Sequence, residues 1–321
     1  MTEREYLVAL SSYIYFGPAR IKLLIDYFGS AKNAYNAEQK SLALIGLKVE
    51  RVADFIRYRK EFKLKDYFDR LKKLKINFLT MQDSGYPQNL VDLDHAPPVL
   101  YIKGNLVPSD SNSVAIVGTR KMTFYGKEVT EEFTKELTSL GITIVSGLAL
   151  GVDACAHKTC LQEEGRTIAV LASGLDIITP GSNVELAKRI IEGHGALLSE
   201  YPLGHPPLRT NFASRNRIIS GLSRAVLVIE GAKKSGTLLT ASSAAQQGRP
   251  VFAVPGQITS PMSAAPHFLI ANGAKMVTSV KDILEELNME FSLNREMVDK
   301  IMPQTKEEEK LSNIITNEPV H

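Results

Sequence analysis

From Ser113 onward the chain repeats one arrangement, a short run of β-branched and aliphatic residues followed by a longer amphipathic stretch. The runs cover 114–117, 142–145, 167–171, 196–198, 225–229, 251–254 and 275–278, and the stretches between them include 125–140, 183–192 and 238–247. Runs this short that are apolar throughout, rather than alternating with polar residues, read as strands buried on both faces. Strands of that kind separated by helices form a parallel sheet whose right-handed crossovers place helices on both sides. The expected fold is α/β, an extended Rossmann-like sheet with helices on both faces. Ligands of such sheets sit outside the carboxyl ends of the strands, where the residues following each run gather.

Those residues form a consistent set. Gly118-Thr119-Arg120 follows the first run, and Ser146-Gly147 opens a turn that continues through Gly151 to Asp153. Ser173-Gly174, Glu200-Tyr201-Pro202 and Pro255-Gly256 end other runs, and Glu230-Gly231 leads to Lys233, Lys234 and Ser235-Gly236-Thr237. Glycine lets a ligand approach the backbone closely. Ser235-Gly236-Thr237 is expected to open a helix whose first N–H groups favour a phosphate. The segment from Ser214 to Gly221 sets Arg215 and Arg217 beside Asn216 at what reads as the start of another helix. Guanidinium groups match phosphate with paired hydrogen bonds. Two arginines alone are more often an exposed basic turn or helix-cap ion pairs. Their company with Arg120, Lys233 and Lys234 at one sheet edge is what favours an anion site. The dinucleotide fingerprint is absent, because Gly118 is followed by Thr119, Arg120 and Lys121, and no Gly-Lys-Ser or Gly-Lys-Thr follows any glycine turn. NAD binding and ATP hydrolysis are disfavoured.

A chain of 321 residues that is 44% hydrophobic can bury a large core and is expected to hold more than one domain. The net charge is only +3, so any basic surface must be local. The two cysteines, Cys155 and Cys160, suggest a reducing compartment, and with His157 between them on one helix they point in different directions, which argues against a metal site. The beginning of the chain lacks the apolar core of a signal peptide and no apolar run approaches a membrane span, so a cytoplasmic protein without membrane contact is expected. Residues 1–75 carry apolar positions at three- and four-residue steps and form an expected small all-helical domain. Its glycine turns at Phe16-Gly17-Pro18-Ala19 and Ile45-Gly46-Leu47-Lys48 fit either a helix-hairpin-helix unit that offers N–H groups to DNA phosphates or a helical docking module. Residues 76–110 read as a linker with sheet-extending strands, 111–287 as the sheet domain and 288–321 as a polar tail.

Gly118-Thr119-Arg120, the segment from Ser146 to Asp153 with Ala156-His157, Ser199-Glu200-Tyr201, Arg215 to Leu222, Ser235 to Leu238 and Phe252 to Gly256 occur in an order that resembles the DNA-processing protein A family (DprA, also called Smf). The likeness spans roughly 85–287 and takes in Gly85-Tyr86-Pro87 and Leu100 to Gly104. The resemblance implies a cytoplasmic bacterial protein, usually a homodimer, that binds single-stranded DNA and helps load the RecA recombinase in natural transformation. It also implies a sterile-alpha-like or helix-hairpin-helix-like front domain. Arg120 is similar to the family's principal phosphate-contacting arginine, and Ser146 and Gly147 would line the same pocket. Arg215, Asn216 and Arg217 fall on the family's Arg-Asn-Arg segment, and Ser235, Gly236 and Thr237 on its small-residue helix start. The resulting DNA-contact set is Gly118, Thr119, Arg120, Ser146, Gly147, Asn183, Arg215, Asn216, Arg217, Lys233, Ser235, Gly236 and Thr237, with no catalytic residue, metal or cofactor expected.

The chain departs from the family at Gly181, where many members have a lysine before the asparagine at Asn183, and at Ala265 and His267, where glycine and asparagine are common. Longer members continue past residue 287 into a winged helix, and residues 306–315 read as the truncated start of one. The competing reading is a nucleotide phosphoribohydrolase on a related lysine-decarboxylase-like fold. That chemistry calls for an acid after the helix start, where this chain has Leu239 and Thr240, so Glu200 or Glu230 would have to replace it. A third reading is a scaffold that binds a partner protein through the helical front. Aromatic partners for bases are expected among Tyr125, Tyr201 and Phe212.

Overall fold

The computed structural model describes residues 2–288. Six helices come first: α1 (Glu3–Ser11), α2 (Pro18–Phe28), α3 (Ala31–Asn36), α4 (Gln39–Leu44), α5 (Val49–Glu61) and α6 (Leu64–Lys73). Their ends follow local chemistry. The Thr2 side chain accepts from the Glu5 N–H while the Glu5 carboxylate accepts from the Thr2 N–H, a reciprocal cap that satisfies two donors the helix cannot. Gly29 ends α2 at φ 79°, a left-handed conformation that costs glycine little. Leu10, Ile21, Leu24, Leu42 and Phe55 fill the centre of this layer.

The remaining elements are β1 (Asn77–Thr80), α7 (Gln88–Val91), β2 (Val99–Gly104), β3 (Ser113–Val117), α8 (Phe124–Ser139), β4 (Thr143–Ser146), α9 (Val152–Gln162), β5 (Thr167–Val170), α10 (Val184–Ile191), β6 (Gly195–Ser199), α11 (Arg209–Leu222), β7 (Ala225–Val228), α12 (Thr237–Gln246), β8 (Val251–Ala253), α13 (Ala264–Ala271), β9 (Lys275–Met276) and α14 (Val280–Glu286). The nine strands form one sheet in the order β1-β2-β6-β5-β4-β3-β7-β8-β9. From β6 to β9 all neighbours are parallel, with Val114 opposite both Ile144 and Ala225, while β2 and β1 extend the β6 edge antiparallel. All seven expected runs are strands, although only two residues of the last one pair.

Successive side chains alternate between two cores. Leu100, Ile102, Ala115, Val117, Val226 and Val228 meet α11, α12 and α7, whereas Val99, Tyr101, Ala169 and Leu197 meet α9 and α10. The second core also takes in Val8 of α1 and Tyr67 and Leu71 of α6, so the helical layer and the sheet share packing. Tyr101, 1% exposed, marks the join. Its hydroxyl accepts from the Tyr67 hydroxyl at 3.0 Å and lies 3.4 Å from the Ser12 hydroxyl, and the Tyr67 oxygen accepts from the Leu203 N–H at 3.1 Å.

The chain winds outward from β3 through β4 and β5 to β6, then returns along α11 and builds β7, β8 and β9 on the other side of β3. The direction therefore reverses between β3 and β7. By contacts the chain divides into units 1–280 and 281–321, and of the second the described residues are the rest of α14 and the turn to Asn288. The winged-helix start expected at 306–315 lies outside the described residues.

Tyr101→Phe tests the join between layers. It keeps the ring and strands the buried Tyr67 donor, so unfolding in urea should show a loss of about 1–3 kcal/mol. An unchanged midpoint would mean that this hydrogen bond does not hold the two layers together.

Candidate nucleic-acid interface

Where strand order reverses, the turns after β3 and β7 diverge and leave a crevice. A cleft of about 450 Å³ occupies it, walled by Gly118 to Arg120 after β3, Ala149 and Asp153 after β4, one flank of α11, and the loop and helix start that follow β7. The floor is built from tight backbone contacts. Gly151, at φ 75°, lies so close to Thr119 that a side-chain carbon would strike the Thr119 carbonyl, and that carbonyl accepts the Val152 N–H at 3.2 Å. The Thr119 N–H donates to Glu230 O at 2.8 Å, which fixes the Gly118-Thr119-Arg120 turn from the other side. Leu148 adopts a left-handed φ of 56°, which costs a side-chain-bearing residue about 1–2 kcal/mol. Burial of its side chain and a 2.9 Å hydrogen bond from the Asn183 amide to its carbonyl hold it there.

Helix α11 begins at Arg209, six residues before Arg215. Arg215 and Arg217 therefore lie within the helix and not at its start, as the sequence had suggested. Arg215 is 4% exposed and forms part of the cleft floor. Its Nη1 donates to Gly147 O at 2.6 Å and also to Val170 O. Burial lowers its pKa to about 10; the nearby Asp153 raises it and the like charge of Arg120 lowers it further. It stays protonated at neutral pH. Asp153 accepts the N–H groups of Gly147 (3.2 Å) and Ala149 (3.3 Å), yet its burial outweighs these and Arg215, and its pKa is raised. Arg217 turns to the other flank of α11 and pairs with the buried Glu200, whose pKa burial raises against the pull of Arg217.

The cleft thus brings together Gly118, Thr119, Arg120, Arg215, Asn216, Ser235, Gly236 and Thr237 of the expected set. Lys233 is exposed beside it without lining it. Ser146, Gly147 and Asn183 lie beneath it rather than facing it. The Ser146 hydroxyl donates to Ile116 O at 2.7 Å, Gly147 is pressed against the Arg215 guanidinium, and Asn183 supports Leu148. Ser235 to Thr237 do open α12, but much of that helix start is satisfied locally: Thr237 N–H donates to Ser235 Oγ (3.2 Å), and Leu238 and Leu239 to Ser235 O and Gly236 O.

Arg209 belongs to the cleft and was not singled out from the sequence. The signal for it was helical spacing, since 209, 212, 213 and 216 fall on one flank of α11. Of the aromatic candidates Phe212 lines the cleft, with the guanidinium carbons of Arg120 and Arg215 at 5.2 and 5.9 Å from its ring centroid. Tyr125 instead donates to Pro255 O at 2.6 Å, and Tyr201 stacks on His205. Glu230 caps α8 by accepting the N–H and hydroxyl of Thr123, and His267 Nε2 lies 3.0 Å from Gly256 O. Asp153 is the one carboxylate among the described residues lining the cleft. No cluster of metal-ligating side chains occurs among the described residues. His157 is fully buried against the Thr167 hydroxyl at 2.6 Å, and Cys155 and Cys160 are free thiols whose pKa values burial raises.

A doubly wound sheet with a cleft at its switch point, lined by Arg120, Arg209 and Arg215, defines a Rossmann-like α/β protein. Comparisons with known proteins narrow the class. Residues 77–288 match the family model described as DNA recombination-mediator protein A. Protein Smf of Synechocystis is 39% identical over 307 residues, covering 94% of this chain and 77% of that protein. The X-ray structure of DNA processing protein A from Streptococcus pneumoniae aligns with a TM-score of 0.76 at 34% identity, over 89% of this chain and 98% of that one. A structure of DNA processing protein A from Helicobacter pylori, described for its single-stranded DNA binding mode, aligns with a TM-score of 0.60 at 30% identity, over 67% of this chain and 96% of that one. The chain belongs to the DNA recombination-mediator protein A family, with the Rossmann-like fold expected of it. No helix among the described residues is long and apolar enough to cross a membrane.

His157 gives the fold a pH dependence. Burial lowers its pKa from 6.5 to about 3, so the unfolded chain binds the extra proton throughout that window and stability falls as pH drops through it. The contribution is complete above pH 6.5 and is lost at up to about 1.4 kcal/mol per pH unit below it. Denaturation between pH 7 and pH 4 should show a shallower acid slope for His157→Asn than for wild type. Identical slopes would refute the assignment.

Proposed function

We propose that the cleft over β3 and β7 binds the phosphate backbone of single-stranded DNA and that the protein acts without catalysis, protecting the strand and helping to load RecA in natural transformation. The observation that carries this reading is that the Arg120 and Arg215 guanidinium carbons both approach the Phe212 ring, at 5.2 and 5.9 Å from its centroid, with Asp153 as the single carboxylate among the described residues lining the cleft. Arg120 makes no ion pair among the described residues, and Arg215 is set against carbonyls. The like charge of Arg120 is one of the causes that lower the Arg215 pKa, and a phosphate bound beside both cations offsets that repulsion. Arg209, Asn216 and the small residues at the start of α12 extend the cradle, and Phe212 offers an apolar face for a base or sugar. The family and the named activity of the Helicobacter pylori relative support DNA as the ligand.

On this reading Arg120 and Arg209 contact phosphates, and Gly147, Asn183, Ser146 and Arg215 shape the floor beneath them. Lys233 adds charge at the rim. Residues 1–75 act as a docking or DNA-contacting module, 76–110 tie them to the sheet, and 111–287 carry the strand. The protein works in the cytoplasm as a homodimer. The short edge strand β9 and the exposed Phe268 and Met276 favour self-association, since a free sheet edge with apolar neighbours invites pairing. The phosphoribohydrolase reading loses support because Leu239 and Thr240 face the cleft where an acid is required, while Glu230 and Glu200 are engaged elsewhere.

Single-strand affinity measured against salt should fall linearly on logarithmic axes, and Arg120→Ala and Arg209→Ala should each reduce the slope by about one phosphate contact. Binding that ignores salt, or slopes untouched by both substitutions, would overturn the reading.

A further inference from the structure

Helix α11 is a ridge with a second depression on its other flank. A groove of about 690 Å³ lies between the turn that joins α1 to α2 and the loop that follows β6, with Tyr15, Arg20, Glu200, His205 and Arg217 among its lining residues. We propose that this groove holds an unpaired base of the same strand that crosses the first cleft, and that Glu200, Arg217 and His205 read the base's hydrogen-bonding edge. The proposal rests on the single-strand reading above and extends it from phosphates to bases.

Polar atoms left without partners at this groove point to such a ligand. Glu200 Oε2 takes Nη2 of Arg217, which leaves Glu200 Oε1 and Arg217 Nη1 buried with no hydrogen bond among the described residues. His205 is 7% exposed, and its Nε2 lies 2.8 Å from the Asn211 amide nitrogen, a donor. The proton of the neutral ring therefore sits on Nδ1, which is also unpartnered. Residues that line the groove thus carry one spare acceptor and two spare donors, on atoms held just beneath its surface. A buried polar atom left unmet costs stability, and a ligand that supplies partners recovers that cost.

The chemistry favours a base over a phosphate. A phosphate would meet the Glu200 carboxylate, whereas base edges carry donors and acceptors side by side without net charge. In a duplex the opposite strand occupies the Watson–Crick edges, so this groove would select unpaired DNA. The flat wall is present too. Tyr201 and His205 stack at 4.7 Å between ring centroids with planes 13° apart, and Tyr15 on the opposing turn is half exposed. Arg20, near the start of α2, can meet the phosphate of the same nucleotide. A helix with its side chains is about 10 Å across, a distance that a few nucleotides of extended strand bridge.

Fluorescence anisotropy on the full chain tests this by comparing an ordinary single strand with an abasic strand of the same length and charge. Wild type should bind the ordinary strand about tenfold more tightly, and Glu200→Gln should bring that ratio close to one. Because Glu200→Gln risks disturbing the fold, a second measurement uses wild type alone: photocrosslinking of a 5-iododeoxyuridine strand, with adducts mapped by mass spectrometry. Adducts at Tyr15, Tyr201 or His205 support the proposal. Adducts confined to Phe212, or equal affinity of wild type for ordinary and abasic strands, overturn base reading and leave the phosphate cleft standing. If neither strand binds, the single-strand function itself falls.

Discussion

A buried guanidinium holds the cleft-bearing edge of the sheet together. Arg215 reaches from α11 to the carbonyls of Gly147, just past β4, and Val170, at the end of β5, so one side chain joins a helix to two strand ends. Taking a cation out of water costs several kcal/mol unless geometry compensates. Here the compensation comes from carbonyl oxygens, from Asp153 nearby and from a fit that leaves Gly147 no room for a side chain. The neighbouring turns inherit that constraint. Asp153 fixes the N–H groups of Gly147 and Ala149, Gly151 presses on Thr119, and Thr119 is tied to Glu230 across the switch point. Arg120 is therefore presented by a turn with little freedom, which lowers the entropy cost of holding a ligand.

Much of this architecture was legible because full burial leaves a strand little choice of residue. The runs at 114–117, 142–145 and 225–229 had to be apolar on both faces, and the structure places strands there within about a residue. The turns after them were legible for a related reason, since glycine at Gly118, Gly147 and Gly151 answers close approaches that a side chain would block. The family resemblance rests on these same turns, so fold and family were visible together.

The start of α11 was not legible, and the reason is physical. Its N-cap is Leu208, which makes no side-chain capping bond, so the serine, threonine or aspartate that normally marks a helix start is missing. Placing the start near Ser214 hid Arg209 and made Arg215 look like an exposed terminal residue. Sequence also gives poor warning of a buried arginine, because charged residues are rarely buried without partners and carbonyl partners leave no pattern along the chain. The pairing of Arg217 with Glu200 was invisible for the same reason, as it depends on how α11 packs beside the end of β6.

These placements change how the Arg215-Asn216-Arg217 segment works. Read as a motif, it offers two cations to a ligand; read as structure, it offers neither in the simple sense. Arg217 is neutralised by Glu200 on the far flank, and Arg215 is committed to carbonyls. The exposed charge in the cleft comes from Arg120 and Arg209, which the motif does not contain. Yet Arg215 still acts on the cleft, because a fixed cation beneath a surface in a poorly polarisable setting projects its field further than a hydrated one. The like charge of Arg120 adds to burial in lowering the Arg215 pKa, so the two cations sense one another across the cleft floor. The segment is better understood as the electrostatic foundation of the cleft than as its surface, and α11 as the ridge that separates the cleft over β3 and β7 from the groove on its other flank.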